Sequence, residues 1–425
     1  MLKKLRNSDL ARSLMVLTTG TVFAQVIGYL ITPVLTRLYT TEEMGDLGMY
    51  VRIIGFLTTV ATLRYELSIP LPKSDRHSFI LYRVALRISL LMLIGSLILG
   101  ILFSLMSSSV VDTLVWVLIS VFSAFFVVFT NIGTNWAIRK KQFRTISQSK
   151  IINSISSNAL KWVFGLTGMG TFGLLIGSLI GYGLSCLVFV AEFVQIKKKD
   201  QNELSVAKAT VLTRQYREFP LVSLPHALID MGRDLLVASL IVFFFSRDVF
   251  GSYSLSYSML RLPLILIGTT IGQVFYNRCA EMINRGERIT DLLKRTIWVL
   301  FALSILPFGL LFFFGEDLFS VVFGEQWVTS GRYSEIMSCW LMLNFIMSPV
   351  SHIPLLLNRQ KEYFFIGLTS SILQLTGFGL IPFLYGDTYD FENILIFVSV
   401  AMVLLHLVII PLSLYYSRFS TVIRR

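Results

Sequence analysis

Twelve segments of the 425-residue chain are long and apolar enough to cross a membrane, and this pattern constrains the fold more than any other feature. A hydrocarbon core about 30 Å thick needs about 20 apolar residues in a helix. Helices satisfy every backbone hydrogen bond within the segment, as lipid requires. The sequence therefore predicts an all-α polytopic membrane protein. The predicted spans are residues 13–38, 45–70, 84–106, 111–136, 148–168, 171–195, 218–246, 249–275, 296–314, 333–357, 362–385 and 392–416.

The composition agrees with a membrane protein and disagrees with a soluble one. Hydrophobic residues make up 54% of the chain and charged residues 15%, with a mean hydropathy of +0.71, whereas soluble domains carry about 25% charged residues. The net charge of +12 comes from cations in short loops that alternate along the chain. Because cytoplasmic loops are rich in Lys and Arg, this distribution predicts that both termini are cytoplasmic. It favours membrane lipids over nucleic acid as the anionic partner.

The chain divides into two halves. The polar connection 196–217 separates residues 1–195 from residues 218–425, and each half holds six predicted spans. An internal repeat at an offset of 206 positions matches Thr40, Glu42 and Gly45 with Ser246, Asp248 and Gly251. In both copies a hydroxyl residue and an acid precede a glycine at a helix start, which is typical of an N-terminal cap. The halves are therefore predicted to be six-helix bundles related by a parallel repeat.

Eight charged residues lie inside the predicted spans with at least four span residues on each side, and five of the eight are cations. A charge at the bilayer centre costs about 2.5–3.5 kcal/mol, so such residues usually face a protein interior or a water-filled pathway. The eight are Arg52, Arg64, Glu66, Lys161, Asp230, Arg233, Asp234 and Arg261. Because cations outnumber acids, we expect this pathway to attract an anion.

The helical face and depth of each charge suggest different roles. Four cations are candidate substrate-binding residues: Arg52, Lys161, Arg233 and Arg261. Arg64 and Glu66 lie toward the cytoplasmic end and form either a gate or a structural pair. His226 lies one helical turn from Asp230, so these two are candidates for ion coupling. Asp230 could equally neutralise Arg233 in a structural pair.

Polar side chains recur every three or four residues on several spans and share helix faces. They either line a cavity or join helices by hydrogen bonds. Candidate cavity-lining residues are Gln25, Tyr29, Thr59, Asn153 and Asn344. A second stripe contains only small residues, which predicts close helix packing. That stripe is Gly173, Gly177, Gly181 and Ser185.

No catalytic or cofactor motif stands out. The sequence has no phosphate-binding loop of the GxxxxGK[ST] type, so we expect no ATP hydrolysis by this chain. The three cysteines show neither metal-ligand nor disulfide spacing. We therefore expect a protein that is not an enzyme and needs neither a metal nor a cofactor.

Several short segments resemble the signatures of bacterial Wzx-type flippases of O-antigen and capsular polysaccharide. Pro33–Gly45 and Leu63–Pro72 carry the resemblance in the first half. In the second half it lies in 272–276, 322–327 and Ser348–Pro349. These flippases form the polysaccharide transporter family of the multidrug/oligosaccharidyl-lipid/polysaccharide exporter superfamily. The resemblance covers nearly the whole chain.

The resemblance implies two six-helix bundles around a central cavity that opens alternately to each side of the bacterial cytoplasmic membrane. It also implies transfer of an undecaprenyl-pyrophosphate-linked oligosaccharide from the inner to the outer leaflet, driven by a proton or sodium gradient. A polysaccharide polymerase and a chain-length regulator are the implied protein partners. Independently of the resemblance, arginine donors match phosphate oxygens in pairs.

Other classes remain alternatives. A multidrug exporter of the same superfamily would share the fold, but an acidic cavity would suit its cationic drugs better. A lipid II flippase normally has two further spans. A membrane-embedded glycosyltransferase or polymerase would need a catalytic outer loop, and the longest outer segment, 315–332, holds acids but no histidine.

Overall fold

The computed structural model describes residues 9–199, 206–348, 353–356 and 360–418, and these residues are helical, without a strand. In chain order the helices are α1 (Asp9–Leu35), α2 (Thr41–Ala61), α3 (Asp75–Leu105), α4 (Val110–Arg139), α5 (Phe143–Leu166), α6 (Gly170–Lys199), α7 (Val206–Gln215), α8 (Leu224–Phe244), α9 (Arg247–Leu260), α10 (Thr269–Asn284), α11 (Thr290–Phe323), α12 (Val328–Met347), α13 (Ile353–Leu356), α14 (Gln360–Leu375), α15 (Ile381–Tyr385) and α16 (Phe391–Arg418). Short π-helical turns precede α8, α10 and α15.

Within the described residues, seven helical segments are long and apolar enough to cross a membrane, or eight if α9 and α10 form one bent span. The seven lie in α1, α3, α4, α6, α11, α14 with α15, and α16. Helices α2, α5, α8 and α12 are 20 to 24 residues long, which also suffices to cross the hydrocarbon core. The first three of these carry Arg52, Lys161 and Arg233. The count of twelve spans and the cytoplasmic termini stay predictions.

One compact unit contains the described parts of Met1–Tyr39 and Asp46–Leu235. In it α5 packs between α1 and α6, and α4 packs on α3 and α6. The small-residue stripe of α6 faces α5. A Cβ on Gly177 would lie 3.0 Å from the Lys161 Cγ, and one on Gly181 would lie 2.6 Å from the Ser157 Cβ. The spacing of small residues thus produces the close helix contact that it predicts.

The predicted connection 196–217 is partly a packed helix. Residues Val206–Gln215 form α7, which packs on α3, and Leu212 is buried in a cluster that includes Trp136. The Tyr65 hydroxyl donates a hydrogen bond to the Thr213 carbonyl at 3.2 Å. Because this helix buries an apolar face, it belongs to the first unit. The sequence predicts a linker over residues 196–217, whereas the structure places Val206–Gln215 in a helix that packs on the first unit.

The second compact unit contains Thr40–Gly45 and the described parts of Leu236–Arg425. The division between the units therefore falls inside α8, after Leu235, and not at residues 217 and 218. Helix α12 packs on α9, α11 and α16. A Cβ on Gly315 would lie 2.6 Å from the Gly331 carbonyl oxygen, so glycines bring the backbones of α11 and α12 together.

Both copies of the internal repeat cap a helix. The Thr40 N–H donates to Glu43 Oε2 at 2.8 Å, and the Glu43 N–H donates to Thr40 Oγ1 at 3.2 Å. This reciprocal pair is a capping box. Ser246 Oγ accepts from the Val249 N–H at 3.1 Å. The predicted caps are confirmed, but the acid of the first cap is Glu43 and not Glu42.

The two repeat copies also touch each other within the second unit. A Cβ on Gly45 would lie 3.1 Å from the Gly251 nitrogen, and a Cβ on Gly251 would overlap the Thr41 carbonyl oxygen. The Thr41 hydroxyl donates a hydrogen bond to the Asp248 carboxylate. Equivalent positions of the repeat therefore form one close contact between the starts of α2 and α9.

Candidate functional site

Lys161 is a half-buried cation on α5. Its aliphatic stem packs on Gly177 of α6. Its carbonyl oxygen accepts a hydrogen bond from the buried Tyr39 hydroxyl at 2.6 Å, which ties this turn of α5 to the end of α1. Among the described residues, no side chain forms a hydrogen bond or ion pair with the Lys161 ammonium. The structure thus holds a cation here without a described counter-ion.

Arg261 is the second half-buried cation of this kind, and it lies in the other unit. It caps the C-terminus of α9, directly before the π-helical turn Leu264–Gly268. The predicted span 249–275 is bent by 40° farther along the chain, between Arg247–Gly268 and Ile271–Asn284. The guanidinium lies 5.2 Å from the centre of the Tyr257 ring. No carboxylate in the described part of the chain pairs with it.

Arg233 differs from these two because carboxylates neutralise it. Its guanidinium lies 2.8 Å from Asp234 Oδ1 and 3.8 Å from Asp230 Oδ1. His226 Nδ1 lies 3.7 Å from Asp230 Oδ2. Asp234, which had no predicted role, is thus closer to Arg233 than Asp230 is. With a neutral histidine this cluster carries a net charge of −1, so it does not form an anion site by itself.

Arg52 lies on the face of α2 that also holds Gly55. Its guanidinium donates to the Gly48 carbonyl oxygen at 2.9 Å. A Cβ on Gly55 would lie 3.8 Å from the Met231 sulfur, next to Asp230 on α8. The structure therefore brings the polar face of α2 to the charged turn of α8.

Arg64 and Glu66 form an ion pair at 3.7 Å, and Glu66 is buried. They lie between α2 and α3, where Leu63 and Arg64 both adopt left-handed backbone conformations, with φ of 47° and 63°. Non-glycine residues in this region cost about 1–2 kcal/mol each. The residues around this segment therefore stabilise its strained backbone. A gate and a structural pair both remain predictions for Arg64 and Glu66.

The predicted cavity-lining residues occupy different environments. Gln25 and Tyr29 are half-buried on α1, and Asn344 is half-buried on α12. Thr59 is buried, and its hydroxyl donates to the Gly55 carbonyl at 2.8 Å. Asn153 Oδ1 packs against Gly181 of α6 and has no hydrogen-bond partner among the described residues. Asn153 thus lies at a helix contact, and cavity lining remains a prediction for all five.

Sequence reasoning missed Arg139, at the end of α4. Its guanidinium donates to Asp75 at 2.9 Å and to the carbonyl oxygens of Pro70, Pro72 and Lys73. These acceptors end, or directly follow, the segment Leu63–Pro72. Arg139 therefore holds the loop between α2 and α3. In the sequence, the only signal for this residue is its position in the cationic run Arg139–Lys141.

Replacing Arg139 by alanine is expected to destabilise the protein by about 1.5–3 kcal/mol, the range for hydrogen bonds to charged groups. Thermal unfolding of the purified protein in detergent measures the effect. Arg144→Ala is the matched control, because Arg144 is an exposed arginine at the start of α5 and no hydrogen bond of its side chain is seen in the described region. Equal unfolding temperatures for the two variants would contradict the role of Arg139.

The fold is that of known membrane transporters. An inward-facing multidrug resistance MATE family transporter of the MOP superfamily aligns over 93% of this chain and 94% of its own, with a TM-score of 0.69 and 14% identity. The lipid II flippase MurJ, in an inward closed conformation, aligns over 96% and 91%, with a TM-score of 0.71 and 15% identity. The protein is thus a helical membrane protein with the fold of this transporter superfamily.

The family follows from the sequence. Residues 34–332 match the family described as polysaccharide biosynthesis protein, and the chain belongs to that family. No curated protein sequence matches the chain. The resemblance carried by the short motifs is therefore confirmed at the level of the family.

Proposed function

We propose that this protein is a flippase for undecaprenyl-pyrophosphate-linked oligosaccharides. It carries repeat units of O-antigen or capsule from the inner to the outer leaflet of the bacterial cytoplasmic membrane. Two six-helix bundles open alternately to the two sides, and no bond of the substrate is made or broken. Membership in a polysaccharide biosynthesis family and a fold shared with a lipid II flippase support this proposal.

The observation that carries the proposal is the pair of half-buried cations without a described counter-ion. The three acids among the eight charged residues inside the predicted spans are already paired, Glu66 with Arg64, and Asp230 and Asp234 with Arg233. Lys161 and Arg261 are left to attract a ligand of opposite charge. A pyrophosphate has that charge, and its oxygens accept the strong charge-assisted hydrogen bonds that lysine and arginine donate.

The remaining polar positions fit the other parts of such a substrate. Gln25 and Tyr29 are half-buried and offer both donors and acceptors for sugar hydroxyls. The exposed apolar side chains of the spans face lipid tails. After translocation, a polysaccharide polymerase and a chain-length regulator would receive the repeat unit.

Ion coupling is assigned to His226 and Asp230. The side chains are 67% and 48% exposed and lie 3.7 Å apart, so both can exchange a proton with water. Imposing a proton or a sodium gradient separately on membrane vesicles identifies the driving ion.

A second candidate function is export of cationic small molecules. The net negative cluster around Asp230 and Asp234 favours it, as does the likeness to a multidrug transporter fold. Measuring the resistance of cells to cationic dyes separates the two functions. Wild-type resistance after deletion of the gene argues against export of cations.

Deletion of the gene also tests the flippase proposal. We expect lipid-linked repeat units to accumulate on the cytoplasmic leaflet and surface polysaccharide to disappear, because the polymerase then receives no substrate. Gel analysis of surface polysaccharide and extraction of lipid-linked saccharides measure both effects. A plasmid copy of the gene is the control and should restore the polysaccharide. Normal surface polysaccharide in a deletion strain without a redundant flippase would contradict the proposal.

A further inference from the structure

A cavity of about 780 Å³ opens within the second unit, apart from the cations discussed above. It lies between the α8–α9 connection, the first turns of α12 and the segment that joins α15 to α16. Its volume is typical of a site for a small molecule, about 300–1,000 Å³. The side chains that line it include Phe244, Tyr333, Tyr389, Asp390, Glu392 and Asn393.

Aromatic rings form a fixed wall of this cavity. The buried Phe391 ring lies 5.0 Å from the Tyr333 ring and 5.2 Å from the Phe245 ring, measured between centres. Tyr389 is 43% exposed, and its ring meets Tyr385 edge-on at 5.7 Å. The wall is therefore held by ring contacts, and Tyr389 offers an accessible face at its edge.

The polar groups of the cavity include both donors and acceptors. Arg332 Nε lies 3.5 Å from Glu392 Oε2, which places a guanidinium beside the cavity. The Asp390 carboxylate has no hydrogen bond to another described residue and is exposed. Asn393 contributes an amide, which both donates and accepts. A ligand here therefore meets an aromatic wall and a mixed set of polar groups.

We infer that this cavity binds a neutral sugar residue of the transported oligosaccharide, an inference that rests on the proposed function. A sugar ring presents C–H groups, which suit the negative face of an aromatic ring, and hydroxyls, which need donors and acceptors together. Asp390 and Glu392 disfavour an acidic sugar. Arg332 also pairs with Glu316 and Glu335, so the site is acidic and a cation is the alternative that the test must exclude. The positive-inside pattern predicts that these loops face outward, where the flipped saccharide arrives.

Binding of free sugars to the purified, detergent-solubilised protein tests the inference. The probes are the methyl glycosides of galactose and N-acetylglucosamine, with glucuronic acid and tetramethylammonium as the anionic and cationic alternatives, followed by saturation-transfer NMR. We expect saturable binding of the neutral glycosides. Tyr389→Ala should weaken it about tenfold, equivalent to about 1.4 kcal/mol, and Asp390→Asn should weaken it as well.

Two matched variants separate binding from folding. Phe383→Ala removes an aromatic ring that is 74% exposed but lies outside the cavity, and Tyr389→Phe keeps the ring. Both should bind the glycosides nearly as the wild type does, and all variants should elute as monodisperse protein. Unsaturable binding of the neutral glycosides, wild-type affinity in Tyr389→Ala, or preferred binding of either charged probe would overturn the inference.

This assay also separates the inference from the proposed function. Free glycosides carry neither a pyrophosphate nor a lipid, and their binding requires no transport. A protein that flips lipid-linked saccharides but binds no free glycoside would refute the sugar site alone. Glycoside binding without flipping would leave the site in place and refute the flippase proposal.

Discussion

Replacing Gly251 by alanine is expected to leave little folded protein. The new methyl group would overlap the Thr41 carbonyl oxygen and lie 3.1 Å from the Gly45 nitrogen. Backbone atoms meet it on both sides, so relief requires the starts of α2 and α9 to separate. Overpacking of a tight site costs about 1–3 kcal/mol, and the loss should lie at the upper end because backbone must move. The yield of monodisperse protein and the thermal unfolding midpoint measure the effect.

Gly309→Ala is the matched control for this substitution. Gly309 lies on α11, and nothing lies within 4 Å of a Cβ built there. Alanine favours a helix over glycine by about 1 kcal/mol, so this variant should unfold at or slightly above the wild-type temperature. If Gly251→Ala behaves like Gly309→Ala, the two repeat copies are not in the close contact described.

Reversing the charge at Lys161 or Arg261 is expected to abolish transport while the protein remains folded. Each cation is half-buried, so an introduced glutamate would repel an anion that passes it. Two unit charges about 4 Å apart interact by about 4 kcal/mol at an effective dielectric constant of about 20. Losing such an attraction reduces binding by about three orders of magnitude. Complementation of the deletion strain, read as surface polysaccharide, measures transport.

The controls for charge reversal are Lys208→Glu and Arg285→Glu. Both cations are exposed, on α7 and directly after α10, outside the predicted spans. They should support normal export at equal protein abundance in the membrane. Normal export by both Lys161→Glu and Arg261→Glu would refute the anion pathway, whatever the controls do.

Much of the local structure follows from the sequence. Every predicted span contains a described helix or part of one, because each apolar segment must satisfy its own backbone in lipid. The caps at Thr40 and Ser246 follow from hydroxyl residues placed before a helix start. The small residues of α6 likewise predict a close neighbour, which is α5. These features depend on residues that are close together in the chain, so their spacing in the sequence predicts them.

Features that depend on tertiary contacts could not be predicted from the sequence in the same way. The repeat predicts that Gly45 and Gly251 are equivalent, but only the folded chain shows that they touch. Helical faces favour a pair between Asp230 and Arg233, whereas the side-chain conformations bring Arg233 closer to its neighbour Asp234. The aromatic cavity joins segments more than 100 residues apart in the chain. No local pattern could indicate it.

The most direct test of the account is translocation by the purified protein in proteoliposomes. A fluorescent undecaprenyl-pyrophosphate-linked saccharide is placed in both leaflets, and an impermeant reagent then destroys the exposed fraction. We predict that the wild-type protein and Lys208→Glu make the whole lipid pool accessible to the reagent. With Lys161→Glu or Arg261→Glu, the lipid in the inner leaflet should stay inaccessible, as it does in protein-free liposomes. An inner-leaflet pool that stays protected with the wild-type protein under either imposed ion gradient would contradict the assignment of this protein as a flippase.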